Sequence, residues 1–598
     1  MADRTASQRL TPLLALAILI GLAGPGGADA TQADVQLAKG NAALSRSDGV
    51  AAEIAFKAAL KAGAAKERVA AGIGEALLGQ GKGVEARAWL GPAQFSASEQ
   101  VHGLRMLSRL EIADGNLPQA RQALDRVLAL GPGNPAVSAE VWVDYAQLLY
   151  RSGAQLQSID AVEKALAADP SNVRALEFRG LMVRDQFGPA AALPWFEAAL
   201  LRSPNDAVLL GGYAATLGDL GRVKQMLAVT RRMIDIGAAA PRAFFMQAVL
   251  AARAGNMPLA RAMLNRAGKG LAGVPAAQQL DGVLQLESGN ALLAIQSLDP
   301  LATSQPQNER AQLLLARAML AAGQQQKLVD RFADLARRDG APPNLLLVVG
   351  RALEDLGRRE EAAGFLDRAA APMPARLAIV PQYAESLSLR AGDGAGQAAA
   401  DVRRLLAIGQ TGEAMAIAER LGAAATGMSA AQTLLGDARY AAGKYNGAVD
   451  AYGQSAKIRY DDALLTRFVL AAAKTGRRDI AATLATQYLR ANPHSREAAR
   501  LAADYAASSG DWQRAVALLE HLRMTGGQRD VRLLSDLAYA QIRSGEAKSA
   551  EANAARAWQL QRSSPLAGAV WRTALKAQGR TDPLSKAEAV LAIQPINR

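Results

Sequence analysis

The chain has no cysteine, only three histidines, and few aromatic residues, which make up 5% of its 598 positions. Without cysteine there can be no disulfide, thiolate nucleophile, cysteine-ligated zinc or lipobox-type lipid anchor. The three histidines, His102, His494 and His521, lie far apart in sequence, which argues against a histidine metal cluster. His494 follows Pro493 in "NPHS" and reads as a loop residue, while His521 has no nucleophile near it in sequence. No G-x-S-x-G elbow, P-loop, H-E-x-x-H or EF-hand loop is present. The one glycine-rich stretch, "GDGAG" at 392–396, lacks the lysine and the preceding strand that a phosphate cradle needs. Adjacent carboxylates such as Glu360-Glu361 and Asp461-Asp462 diverge around a helix axis and do not form an acid–base pair. No catalytic residue, cofactor or metal is therefore expected, and an enzyme is disfavoured.

Half of the residues are apolar, with alanine and leucine supplying most of them, a balance that favours closely packed helices over sheets. The length exceeds what one ordinary core supports, so several domains or a repeat array are expected. At the N-terminus, Arg4 and Arg9 precede the apolar run "LLALAILIGLAG" (13–24), then "PGG" and Ala28-Asp29-Ala30. These are the marks of a secretory signal peptide over 1–30, cleaved after Ala30. The run is short for a membrane span. The expected product is exported to a bacterial periplasm, with no transmembrane span left after cleavage. The alternative is inner-membrane anchoring by an uncleaved N-terminus. The net charge is +13, carried mainly by arginine. No cluster of aromatic and basic residues suits base stacking, so nucleic acid is not the expected partner. An acidic protein or an anionic polymer fits the charge better.

The chain has a rhythm. "GNLPQARQALDRV" at 115–127 recurs as "GNMPLARAMLNRA" at 255–267. The glycines fall at Gly81, Gly115, Gly153, Gly221, Gly255, Gly289, Gly323 and Gly357, spaced by 34 or close multiples. The series resumes at Gly409, Gly443, Gly476, Gly510, Gly545 and Gly579. Five residues after these glycine positions comes a small residue: Ala52, Ala86, Ala120, Ser158, Ala192, Ala260, Ala294, Ala362, Ala414, Ala448, Ala481, Ala515 and Ala550. Two small-residue series at one period indicate an array of supersecondary units. Apolar residues three and four apart in 174–186 and 190–202 make each unit two helices. The glycine relieves the turn between them, Asn116 and Asn256 are placed to cap the second helix, and Pro118 and Pro258 sit in its first turn. Pro170, Pro204, Pro306, Pro374 and Pro493 close second helices.

This unit resembles the tetratricopeptide repeat. Gly180, Ala192, Phe196, Ala199 and Pro204 are in register with that pattern, as are Gly350, Ala362, Ala369 and Pro374. Leu435, Gly436, Ala448 and Tyr452 match in a third unit, Gly40, Ala52, Phe56 and Ala59 in the first, and Trp142 fills the Trp position of its own. The resemblance implies an all-α, right-handed α-solenoid (superhelix) of about 15–16 helix-turn-helix repeats. Five segments are expected: the signal peptide (1–30), an N-terminal solenoid block (31–375), an irregular segment with an extra helix and a hinge role (376–412), a C-terminal block (413–580), and a capping helix and tail (581–598). The irregular segment follows from the 52 residues between Ala362 and Ala414, one period plus 18.

In such arrays the first helices of the units line a binding groove. By register the lining here includes His102, Arg105, Arg109, Arg174, Arg184, Arg242, Phe245, Arg310, Arg317, Arg351 and Arg403. Glu75, Glu140, Glu177, Glu354, Asp437 and Asp504 share it. The lysine of the family's carboxylate clamp is absent, since Leu37 and Ala38 precede Asn41. The arginines suit carboxylate or phosphate, or else form a solvated face. The expected function is a non-catalytic protein-binding scaffold of the cell envelope. The alternatives are a periplasmic scaffold for export or assembly of an anionic exopolysaccharide, and a repeat subunit of a glycan-active enzyme.

Overall fold

The computed structural model describes residues 27–370 and 395–580, apart from connection residues 47, 92–93, 132, 238–239, 272, 307, 339–340 and 563. Most of the expected signal peptide, the greater part of the 376–412 segment and the end cap at 581–598 lie outside these residues. Among the described residues there are 31 α-helices, a short 3₁₀ turn and a π turn, with no strand. The all-α reading with two-helix units holds. The last described helix, Pro565–Ala577, opens a further unit. Helix Ala395–Ala407, at the end of the irregular segment, packs against Thr411–Ala424 as an ordinary first helix. No described helix is long and apolar enough to cross a membrane. The chain divides into two compact units, residues 1–137 and 138–598.

All the glycines of the turn series, from Gly81 to Gly579, have positive φ, between 68° and 89°. A side chain there would strain each turn, which is why the series is glycine. The small-residue series is buried to 0–1% exposure at every position. These residues sit where the second helix meets its neighbours, and only a methyl-sized group fits. Ser158, the lone hydroxyl in the series, donates to the Ala146 carbonyl at 2.7 Å and so leaves no buried donor unmet. Asn256 caps its helix by accepting from the Leu259 amide at 3.1 Å. Asn116 does not cap: its amide instead donates to Glu111 at 2.7 Å, because Glu111 is drawn in by Arg87.

A second rule locks the pairs. Glycine on a first helix faces a large residue 16 positions later on the second. A Cβ at Gly282 would lie 2.4 Å from Leu298 Cγ, and one at Gly436 would lie 2.3 Å from Tyr452 Cε1. The apolar cores are accordingly local, each joining neighbouring helices along the chain, as in the cluster running from Ala294 to Leu366.

The second unit also returns to itself at long range. The Leu156 amide donates to the Gly427 carbonyl at 3.2 Å, and the Ser429 amide to Gln155 Oε1 at 3.3 Å. One repeat further on, the Tyr460 amide donates to the Asp185 carbonyl at 3.0 Å, and the Gln186 side chain donates to the Lys457 carbonyl. Gly188 lies so close to Ala491 that a Cβ would come within 2.7 Å of its carbonyl oxygen, and Gly221 approaches His494. Turns inside the units at 153–155, 187–189 and 220–222 thus meet turns between units at 425–429, 457–461 and 491–495. The seam advances one repeat on each side at every step.

Candidate functional site

The candidate side chains lie on first helices, and the structure sorts them by what neutralises them. In the first unit, helix Gln100–Ala113 carries His102, Arg105 and Arg109. His102 Nε2 lies 2.6 Å from Glu75 on the preceding first helix, and Nδ1 lies 3.2 Å from Glu99. Burial works against the imidazolium, but the hydrogen bonds and charges of Glu75 and Glu99 outweigh it and hold the pKa up at about 9. His102 is therefore a cation at neutral pH. Arg105 is buried, and Arg109 packs on Met106 and feels the Glu75 carboxylate.

The raised pKa makes a testable statement. Because the folded value exceeds the ordinary value of 6.5, the contribution of His102 to stability is complete below pH 6.5 and is lost as pH rises through about 9. An NMR titration of the His102 ring should give a midpoint near 9, and Glu75→Gln should lower it by at least about one unit, since one strong ionic hydrogen bond accounts for a shift of that order. A ring titrating near 6.5 in the parent protein would refute the pairing.

In the second unit the same device recurs between successive first helices. Arg174 pairs with Glu140 and, at 2.8 Å, with the fully buried Asp144. Arg467 Nε reaches Asp437 at 3.0 Å, and Arg500 reaches Asp530 at 3.5 Å and Asp536 at 3.1 Å. Asp437 also accepts the Tyr452 hydroxyl at 2.6 Å. Its burial raises its pKa, and Arg467 and Tyr452 oppose that. Burial likewise holds Asp536 up at about 6 despite Arg500 and Arg532. Arg467 and Arg500 were not among the sequence candidates. Their signal was there: acid and base are 30 residues apart in Asp144–Arg174, Asp437–Arg467 and, in the reverse order, Arg500–Asp530.

Two further candidates are neutralised otherwise. Arg184 pairs with Asp219, and Arg351 pairs with Glu354 on its own helix at 2.5 Å.

Arg242, Arg310, Arg317 and Arg403 form no ion pair among the described residues. Arg242 and Arg310 occupy the register of Arg174, at steps of 68 residues. The positions matching Glu140 and Asp144 are Val208 and Gly212 for Arg242, and Ala276 and Leu280 for Arg310, so no carboxylate is available. The Arg242 guanidinium lies across Gly211, where a Cβ would come within 2.4 Å of it, and Phe245 is half-buried one turn on. Burial lowers the Arg242 pKa and Glu177 opposes that. Arg317 is lowered by burial and then by the nearby Arg529, against Glu287. Arg403 has Nε and Nη2 buried without partners, and burial lowers it against the pull of Asp437. The candidate face is therefore a ladder of ion pairs in which Arg242, Arg310, Arg317 and Arg403 form none among the described residues, while Arg351 between them pairs with Glu354. No group of three or more acids or histidines among the described residues could hold a metal ion.

Comparison with known proteins agrees with the repeat reading. Residues 156–207 and 466–529 match the tetratricopeptide repeat family. The cellulose synthase operon protein C of Xanthomonas axonopodis pv. citri is 28% identical over 503 residues, covering 77% of this chain. This chain matches only 31% of that protein's length. Among solved structures, Pseudomonas aeruginosa pilF is 17% identical, covering 36% of this chain and 96% of its own, with a TM-score of 0.30. The tetratricopeptide-repeat protein YrrB, with an unusual peptide-binding site, is 14% identical, covering 34% and 97%, with a TM-score of 0.27.

Proposed function

We propose that this protein is a non-catalytic scaffold of the bacterial cell envelope that holds an acidic partner protein along its first-helix face. The observation that carries this reading is the division of the arginines. Arg174, Arg184, Arg467 and Arg500 are matched by carboxylates about one repeat away, whereas Arg242, Arg310 and Arg317 form no ion pair among the described residues, within a run of four first helices from Ala240 to Asp355. An uncompensated guanidinium on a half-buried face is a ready partner for a carboxylate, which its planar fork binds in two places. Phe245 beside Arg242 adds apolar area to the same patch.

A second reading, a scaffold for export or assembly of an anionic exopolysaccharide, is favoured by the similarity to a cellulose synthase operon protein. In both readings the chain acts in the periplasm after removal of its first 30 residues.

Crosslinking in intact cells, with identification of the captured species, separates the two. The doubly substituted Arg242→Glu, Arg310→Glu protein should capture the partner at least about tenfold less, a loss of the size expected for two charge-assisted contacts. Arg351→Gln, whose charge is already matched, should change capture less than about twofold. Capture of the parent should fall as salt is raised. Capture indifferent to salt and to the double charge reversal would sink the acidic-partner reading, and recovery of polysaccharide in place of protein would select the second.

A further inference from the structure

The long-range seam of the second unit differs in kind from every other contact in the array. Neighbouring units share apolar cores. At the seam the apolar clusters stay on their own sides: Leu176, Phe196 and Leu209 on one, Leu465, Val469 and Tyr488 on the other. Leu156 and Phe187, beside the seam hydrogen bonds, remain 51% and 56% exposed. What crosses is polar: two backbone hydrogen bonds, the Gln155 and Gln186 side-chain bonds, and the close approaches at Gly188 and Gly427.

The far end of the seam also carries opposition. His494 hydrogen-bonds the Gly218 backbone but stacks on His521 with ring centroids 6.5 Å apart and feels Arg253, and Arg317 feels the like charge of Arg529. Asp219 and Glu287 are the acids within reach, and Asp219 is already engaged by Arg184.

We propose that this seam is a reversible clasp: it closes the second unit into a circuit, and it opens without disturbing the repeats on either side. Hydrogen bonds exchanged with water have small net strength, so a seam of about four of them opens with an equilibrium constant on the order of 10⁻³. Burial of an apolar cluster would have made opening far rarer. Like charges at the Arg317–Arg529 end shift the balance further toward opening, and salt weakens that repulsion.

The absence of cysteine makes the test clean. A Cβ at Gly427 would lie 3.1 Å from Leu156 Cβ, close to the span of a disulfide. In the full chain, Leu156→Cys, Gly427→Cys should form an intramolecular disulfide on mild oxidation, seen as a mobility shift that a reductant reverses. A control pair, Leu156→Cys with Gly453→Cys, should not. In the cysteine-free protein, hydrogen exchange of the Leu156 and Tyr460 amides should be slowed about 10²–10⁴-fold over a free amide, the range such a seam supports. It should stay well below the protection of core amides such as Val469. Arg529→Gln should raise seam protection several-fold at low salt and lose that advantage at high salt. Failure of the disulfide, or seam amides exchanging like free ones, would show that the seam is not closed. Seam amides as protected as Val469, or no response to Arg529→Gln, would show a fixed joint instead of a clasp. Each of these outcomes overturns the proposal.

Discussion

Replacing Arg467 by alanine should destabilise the helices Ser429–Ala441 and Asp462–Lys474 by about 3–5 kcal/mol, the usual result of removing one partner from a buried ion pair. Arg467 and Asp437 are each about 6% exposed, and Asp437 depends on Arg467 Nε and the Tyr452 hydroxyl for its charge. Without Arg467 the carboxylate is left in a low-dielectric site, where it takes up a proton or draws in water, and either event disrupts the packing of Tyr452 against Gly436. The double replacement Asp437→Leu, Arg467→Met should recover most of the loss, to within about 1 kcal/mol, because two apolar residues of similar size need no counter-charge. A long repeat array does not unfold as one two-state unit, so the measurement is hydrogen exchange in these two helices, not a global midpoint. A loss below about 1 kcal/mol for the single variant would mean that Arg403 takes over the pairing.

The second large effect concerns Phe56. Its ring is 2% exposed and lies between two glycines, each 16 residues away: Gly40 on one helix and Gly72 on the next. A Cβ on Gly40 would be 2.7 Å from the ring and one on Gly72 2.5 Å. Phe56→Ala should cost about 3–5 kcal/mol through lost transfer energy and a cavity. Gly40→Ala or Gly72→Ala alone should cost about 1–3 kcal/mol by overpacking. In the Phe56→Ala background the sign should reverse. With the ring gone, the added methyl partly fills the cavity and removes a glycine from a helix interior, worth about 1 kcal/mol. Hydrogen exchange in the helices around Phe56, measured for the four proteins of each such cycle, reads the coupling directly. If the Gly→Ala changes cost the same with and without the ring, the close approach is not what fixes these glycines.

These cases show which parts of the architecture were legible. The turn glycines and the buried small residues repeat at one position in every unit, because one backbone geometry and one helix–helix distance recur. Periodicity alone therefore finds them. The 16-residue pairing of Gly436 with Tyr452 was visible only as two separate family positions, since sequence does not show which side chain fills the space a glycine leaves. The charged face was legible as to its helices but not its balance. Arg174 and Arg184 share composition with Arg242 and Arg310, yet the first two are neutralised by acids on neighbouring helices, a contact that depends on helix orientation. The contact between the rings of His494 and His521 was not legible, because 27 residues separate them in the chain. The seam left no local signal, because its partners lie 271 to 275 residues apart and half of its bonds join backbone to backbone.

That seam changes how the second unit carries mechanical load. In a stack joined only between neighbours, a force applied to one repeat passes through every intervening repeat in series, and their small compliances add. Where Asp185 is bonded to Tyr460 and Leu156 to Gly427, the same force has a second, much shorter route. Two parallel routes make the repeats between them stiffer than their number suggests.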